Sequence, residues 1–169
     1  TASTATGYTF TNWTKNGSVV SEEATYTFTI TEVEAGAYVA NFTLNTQTLT
    51  IHYQYEDGTA VGDDTVKQVN IGSTYNVVSP EIDCYVADKL NVSGTMGVEE
   101  VRDTVTYTSL ATTGIDERVV CDSLKWMDGV TYYESPNDPT YTLTNASGCD
   151  SVVTLHLTIH TSPAEPTLL

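Results

Sequence analysis

Apolar and polar residues alternate along several short stretches of this chain, most clearly from Thr48 to Gly58. There Leu49, Ile51, Tyr53 and Tyr55 alternate with Thr50, His52 and Gln54. One face is apolar and the other polar, the period-two pattern of a half-buried strand. Asp57-Gly58 ends it, because glycine accepts positive φ and aspartate bonds its own backbone. The same reasoning predicts strands at Thr25–Ile30, Tyr38–Leu44, Arg102–Tyr107 and Thr140–Thr144, and a last one through Val153, Leu155, Leu157 and Ile159. Turns are predicted at Lys15-Asn16-Gly17-Ser18, Ala35-Gly36 and Asp128-Gly129, and a loop at Ser135-Pro136-Asn137-Asp138-Pro139.

Composition sharpens this into an all-β or nearly all-β chain. Thirty-one threonines and 11 tyrosines favour pleated surfaces over helices. The patterns fall into three segments, each near the lower size limit for independent folding: 1–45, 46–109 and 112–160, with 161–169 as a linker. No apolar run approaches the roughly 20 residues of a membrane helix, so direct membrane insertion is not expected. With no signal-like stretch at Thr1, the chain reads as a piece of a longer protein. Six basic against 22 acidic residues give a formal charge of −16, which repels phosphate backbones and excludes nucleic acid as an expected partner.

Specific residues then point to families. Ile51-His52-Tyr53, Glu56-Asp57-Gly58-Thr59, Ile71-Gly72-Ser73-Thr74-Tyr75, Pro80, Tyr85, Ser93-Gly94-Thr95 and Asp103-Thr104-Val105-Thr106-Tyr107 resemble a mucin-binding-protein (MucBP) repeat across the middle segment. That resemblance implies a small β-grasp-like module used in adhesins. It departs from the repeat at one place, where Cys84 stands in the position usually held by glycine before Tyr85. Gly7 to Trp13, Tyr26 to Ile30 and Ala40-Asn41-Phe42 resemble the second half of a divergent internalin-type B-repeat. Trp126, Gly129, Tyr132, Gly148 and Cys149 are similar to cysteine-containing repeats in very large surface proteins of anaerobic gut bacteria, which implies a β-sandwich or hairpin module.

Cys121-Asp122-Ser123 and Cys149-Asp150-Ser151 echo each other. A Cys121–Cys149 disulfide closing about 29 residues is expected, contributing roughly 3.5 kcal/mol by loop entropy. Cys84 is then the odd thiol. The three histidines, His52, His156 and His160, are expected on strand surfaces: four residues of strand put His156 and His160 roughly 13 Å apart, too far for one ion. Asp57, Asp63 and Asp64 lack the spacing of a calcium loop. Catalytic fingerprints do not occur, and no cofactor or metal is expected. The acidic pairs Glu22-Glu23, Asp63-Asp64 and Glu99-Glu100 read as solvated charges.

The expected protein is a non-enzymatic fragment of an extracellular, cell-surface bacterial adhesin, with mucin glycans or glycoproteins as partners alongside neighbouring repeats of the same chain. Two other classes compete: a non-binding structural stalk, and an accessory module of a surface glycan-degrading enzyme. Trp13 and Trp126 are expected in the core, with Val130 and Tyr132 pointing inward beside Trp126. Tyr133 then points to water as a stacking platform for a saccharide, with Asn137 and Asp138 as hydrogen-bonding groups.

Overall fold

The structure is a computed structural model that describes residues 1–29 and 36–162. Among these residues it is all-β, with fourteen strands: β1 Tyr8–Lys15, β2 Ser18–Ser21, β3 Tyr38–Leu44, β4 Thr46–Tyr55, β5 Thr65–Asn70, β6 Thr74–Val78, β7 Tyr85–Ala87, β8 Asn91–Thr95, β9 Val101–Ser109, β10 Thr112–Cys121, β11 Leu124–Lys125, β12 Thr131–Tyr132, β13 Thr140–Thr144 and β14 Asp150–His160. They form two compact units, Thr1–Pro80 with Ala87–Tyr107, and Glu81–Val86 with Thr108–Leu169.

In the first unit the alternating stretch around Ile51 becomes β4. It lies between antiparallel β5 and parallel β9, in the order β5-β4-β9. The central parallel pair makes the middle segment β-grasp-like. Leu49, Ile51 and Tyr53 of β4 face the core with Val105 and Tyr107 of β9, all buried. Val77, Val92 and Met96, on or beside the antiparallel β6–β8 pair, are also buried. Tyr107 is buried but keeps its hydroxyl satisfied, donating to Pro80 O at 2.6 Å. Within this pair Tyr75 faces Gly94. A Cβ at Gly94 would sit 2.6 Å from the Tyr75 hydroxyl oxygen, so the glycine makes room for the ring to cross the strand.

The N-terminal sheet of the first unit has the order β2-β1-β3. The turn at Asn16-Gly17 has positive φ at both residues (52° and 84°), as a tight two-residue hairpin needs. No residue of this sheet is fully buried. Rings do the packing instead: Phe10 lies 6.0 Å from Trp13 and 5.7 Å from Phe42. Trp13 is therefore half-buried, where a core position was expected. The expected strand Thr25–Ile30 does not form over 25–29, and Ile30 lies outside the described residues. Its alternating aromatics stack on β3 without backbone pairing, Phe28 lying 4.5 Å and Tyr26 6.1 Å from Tyr38. Ala35, of the expected Ala35-Gly36 turn, and residues 163–169 of the expected linker also lie outside the described residues.

In the second unit β14 is the central strand of the order β10-β14-β13, parallel to β10 and antiparallel to β13. Its odd-numbered apolar residues, Val153, Leu155, Leu157 and Ile159, gather with Trp126, Val120, Leu124 and Tyr132. Trp126 is 6% exposed and donates its indole N–H to Asp116 Oδ2 at 2.9 Å. Val130, expected inward, is 50% exposed, because it sits at the tip of the β11–β12 hairpin where Asp128 Oδ1 accepts its N–H.

The disulfide differs from the expected Cys121–Cys149 bond. Cys149 is bonded to Cys84, with Cα atoms 5.4 Å apart, and Cys121 is free and exposed. The parallel pairing explains the correction. Thr112 pairs with Ser151 and Cys121 with His160, so Cys121 and Cys149 sit at opposite ends of the sheet, roughly 36 Å apart at strand spacing. The thiol expected to be the odd one, Cys84, is the bonded one. Its φ of 62° keeps the left-handed turn for which glycine is the usual residue.

Candidate functional site

The segment joining β12 to β13 carries the three residues expected to form a saccharide platform. It is held along β14 by three hydrogen bonds. Leu157 N–H donates to Pro136 O at 3.0 Å, Leu155 N–H to Pro139 O at 2.8 Å, and Ile159 N–H to Ser135 Oγ at 2.9 Å. Prolines suit this position because they need no partner for a missing N–H while their carbonyls still accept. Between the two anchors, Asn137 and Asp138 form an exposed tip. Tyr133 is 73% exposed, among the most exposed large apolar side chains described. Among the described residues, none of these three side chains makes a hydrogen bond, so their polar atoms are available to a ligand.

The neighbouring side chains fix the local chemistry. Tyr132 turns inward and donates its hydroxyl to Asp128 Oδ2 at 2.6 Å, and that bond, with smaller help from desolvation and the Asp128 and Asp138 charges, pushes its pKa up to about 12. Tyr132 is thereby committed to structure, while the adjacent ring of Tyr133 is free to stack. Tyr132 is the last residue of β12, and Tyr133 lies one residue beyond it, in a bend that exposes the ring. Glu134, Asp128 and Asp138 give the segment a negative character, with Lys125 on the paired strand β11 as a cation of the same hairpin.

In the first unit the residues that carry the repeat resemblance are mostly structural. His52 Nδ1 lies 2.6 Å from Asp64 Oδ1, and Asp57 Oδ1 accepts the Thr59 N–H at 2.8 Å, which holds its carboxyl below the usual range. Two of the three aspartates weighed for calcium are thus engaged in local contacts. Among the described residues no three His, Cys, Asp or Glu side chains converge as a metal-ligand set. Lys89 donates to Asp103 and to Thr104 O, and its bond to Asp103 raises the ammonium and lowers the carboxyl. A shallow, largely apolar cavity of about 200 Å³ opens beside Tyr8, Phe42, Ser3 and Ala5. It was not legible in advance, since Tyr8 and Phe42 come from strands 30 residues apart whose pairing, Tyr8 with Leu44 and Phe10 with Phe42, sets the rings side by side.

Residues 48–108 match the model of the MucBP domain family. Among solved structures, the MucBP domain of the adhesion protein from Pediococcus pentosaceus is 27% identical, with 38% of this chain and 97% of that one covered and a TM-score of 0.32. The mucin-binding domain of a Streptococcus pneumoniae protein is 26% identical, covering 39% and 91%, with a TM-score of 0.30. A type 2 repeat of the mucus binding protein MUB from Lactobacillus reuteri is 20% identical, covering 61% and 76%, with a TM-score of 0.36. No curated protein matches the chain. The alternating strand that the pattern singled out first, β4, thus opens a middle segment that, over residues 48–108, matches the MucBP domain.

Proposed function

We propose that this chain is part of an extracellular, cell-surface adhesin that binds mucin glycans or glycoproteins and catalyses no reaction. The observation that carries this reading is the match of residues 48–108 to the MucBP domain family. One further feature supports it: the Cys84–Cys149 disulfide suits an oxidising, extracellular setting. In this reading the chain is organised as 1–45, a partial internalin-type B-repeat-like module; 46–109, the MucBP-like module; 112–160, a cysteine-containing module; and 161–169, a linker to a neighbouring module. Tyr133 serves as a stacking platform for a pyranose face, with Asn137 and Asp138 bonding its hydroxyls.

The test is a mucin-glycan array followed by titration with the chain and with Tyr133→Ala. Saturable binding that weakens at least severalfold in Tyr133→Ala is expected. Binding unchanged by Tyr133→Ala moves the site to residues 46–109, and no binding by the parent chain overturns the adhesive reading.

A further inference from the structure

We propose that the free edge of β10 is a self-association surface, on which β10 of a second copy of this chain pairs antiparallel and extends the sheet. At ten residues β10 is about 33 Å long. It is bonded to β14 along one side over its whole length and ends its sheet, in the order β10-β14-β13. By contrast, β14 is covered on both sides, by β10 on one and by β13 and the Ser135–Pro139 segment on the other. Among the described residues no backbone group bonds to the outer side of β10. A long unpaired edge is a template for another strand unless proline, lysine, a bulge or a covering element blunts it. No proline, lysine or bulge interrupts β10; charged side chains also blunt an edge, and β10 carries three, Asp116 and Arg118 bonded to each other and Glu117 on the open face.

The two faces of β10 differ. Asp116 and Val120 turn toward Trp126 and the core, while Ile115 and Val119 lie on the open face, 62% and 70% exposed. A two-fold axis normal to the sheet keeps these faces in common and demands a self-complementary register. Of the three registers centred on Asp116, Glu117 or Arg118, the one centred on Glu117 makes the better cross-strand pairs. Ile115 stands opposite Val119 of the second copy, Asp116 opposite Arg118, and Thr113 opposite Cys121, each twice by symmetry. A slip by one pair in either direction sets Asp116 against Asp116 or Arg118 against Arg118. Alternation therefore matches apolar with apolar and acid with base, both of which favour cross-strand pairing. The single mismatch is Glu117 against Glu117 on the axis, which weakens the association and makes it sensitive to that charge.

Light scattering and sedimentation of the native chain over a range of concentrations, with three variants, test this. The native chain is expected to dimerise reversibly with concentration, Glu117→Gln to tighten the dimer a few-fold, and Ile115→Lys to abolish it. Register is read by mild oxidation of Thr113→Cys, whose new thiol faces Cys121 of the second copy and lies about 26 Å from Cys121 of its own chain. A covalent dimer is expected with Thr113→Cys and not with Gly114→Cys, which projects from the other face. A native chain that stays monomeric into the millimolar range overturns the proposal. So does association unaffected by Ile115→Lys, or equal cross-linking of the two cysteine variants.

Discussion

Replacing Cys84 separates two opposing effects at one residue. The Cys84–Cys149 bond spans 65 residues, and on the loop-entropy model its loss costs about 4.3 kcal/mol. Cys84 also holds a left-handed φ of 62°, a conformation that costs a residue bearing a Cβ about 1 kcal/mol relative to glycine. Cys84→Ser removes the bond and keeps the strain, so the second unit should lose about 4 kcal/mol. Cys84→Gly removes both and should lose only about 3 kcal/mol. Cys149→Ser should do no better than Cys84→Ser, because Cys149 is 3% exposed and a serine there buries a hydroxyl. The assay is urea unfolding followed by Trp126 fluorescence in a Trp13→Phe background, with and without reductant. Reductant should destabilise the parent and leave Cys84→Gly unchanged. Equal stability of Cys84→Ser and Cys84→Gly, or a loss below about 1 kcal/mol in both, would refute the reasoning.

Three further outcomes are expected. Gly94→Val drives a side chain into the space of the Tyr75 ring, whose hydroxyl oxygen lies 2.6 Å from the added Cβ, and should destabilise the first unit by about 1–3 kcal/mol in chemical unfolding. Asp116 is held below its ordinary 3.8 first by the Trp126 indole N–H and then by Arg118. A lowered folded-state value means that the stabilisation is complete above the ordinary value and is lost as pH falls through the lower one, so stability followed by Trp126 fluorescence should drop below about pH 4 and Asp116→Asn should flatten that drop. Tyr132, raised to about 12 by its bond to Asp128, should contribute stability fully present below the ordinary 10 and lost as pH rises through about 12; the ultraviolet difference titration between the parent and Tyr132→Phe should show one phenol ionising near 12, and a transition near 10 would contradict the bond.

Much of this was legible because strand alternation is a local signal. β4, β9, β13 and β14 were readable from residues such as Ile51, Val105 and Leu155, whose neighbours on the other face are polar. Partner choice was not, since it depends on which edges meet. The echo of Cys121 and Cys149 pointed to a local staple, and only the parallel register of β10 on β14 shows them at opposite ends of the sheet. A cysteine in the glycine position at 84 was the signal for the actual bond. It marked a left-handed turn kept at an energetic cost, which fits a side chain held for its sulfur. The stretch 25–29 misled for a related reason, because its alternating rings find ring partners on Tyr38 and need no strand neighbour. At the candidate site Tyr133 is exposed, as alternation beside Tyr132 predicted, although it lies in a bend just past the end of β12. The anchoring of the Asn137–Asp138 tip to β14 was long-range and invisible in the sequence.

The most direct measurement is binding of the intact, oxidised chain to immobilised mucin before and after enzymatic removal of its glycans. The proposed adhesin, whose residues 48–108 match the MucBP domain family, should bind saturably and lose that binding when the glycans are removed. No saturable binding, or binding indifferent to the glycans, would contradict it.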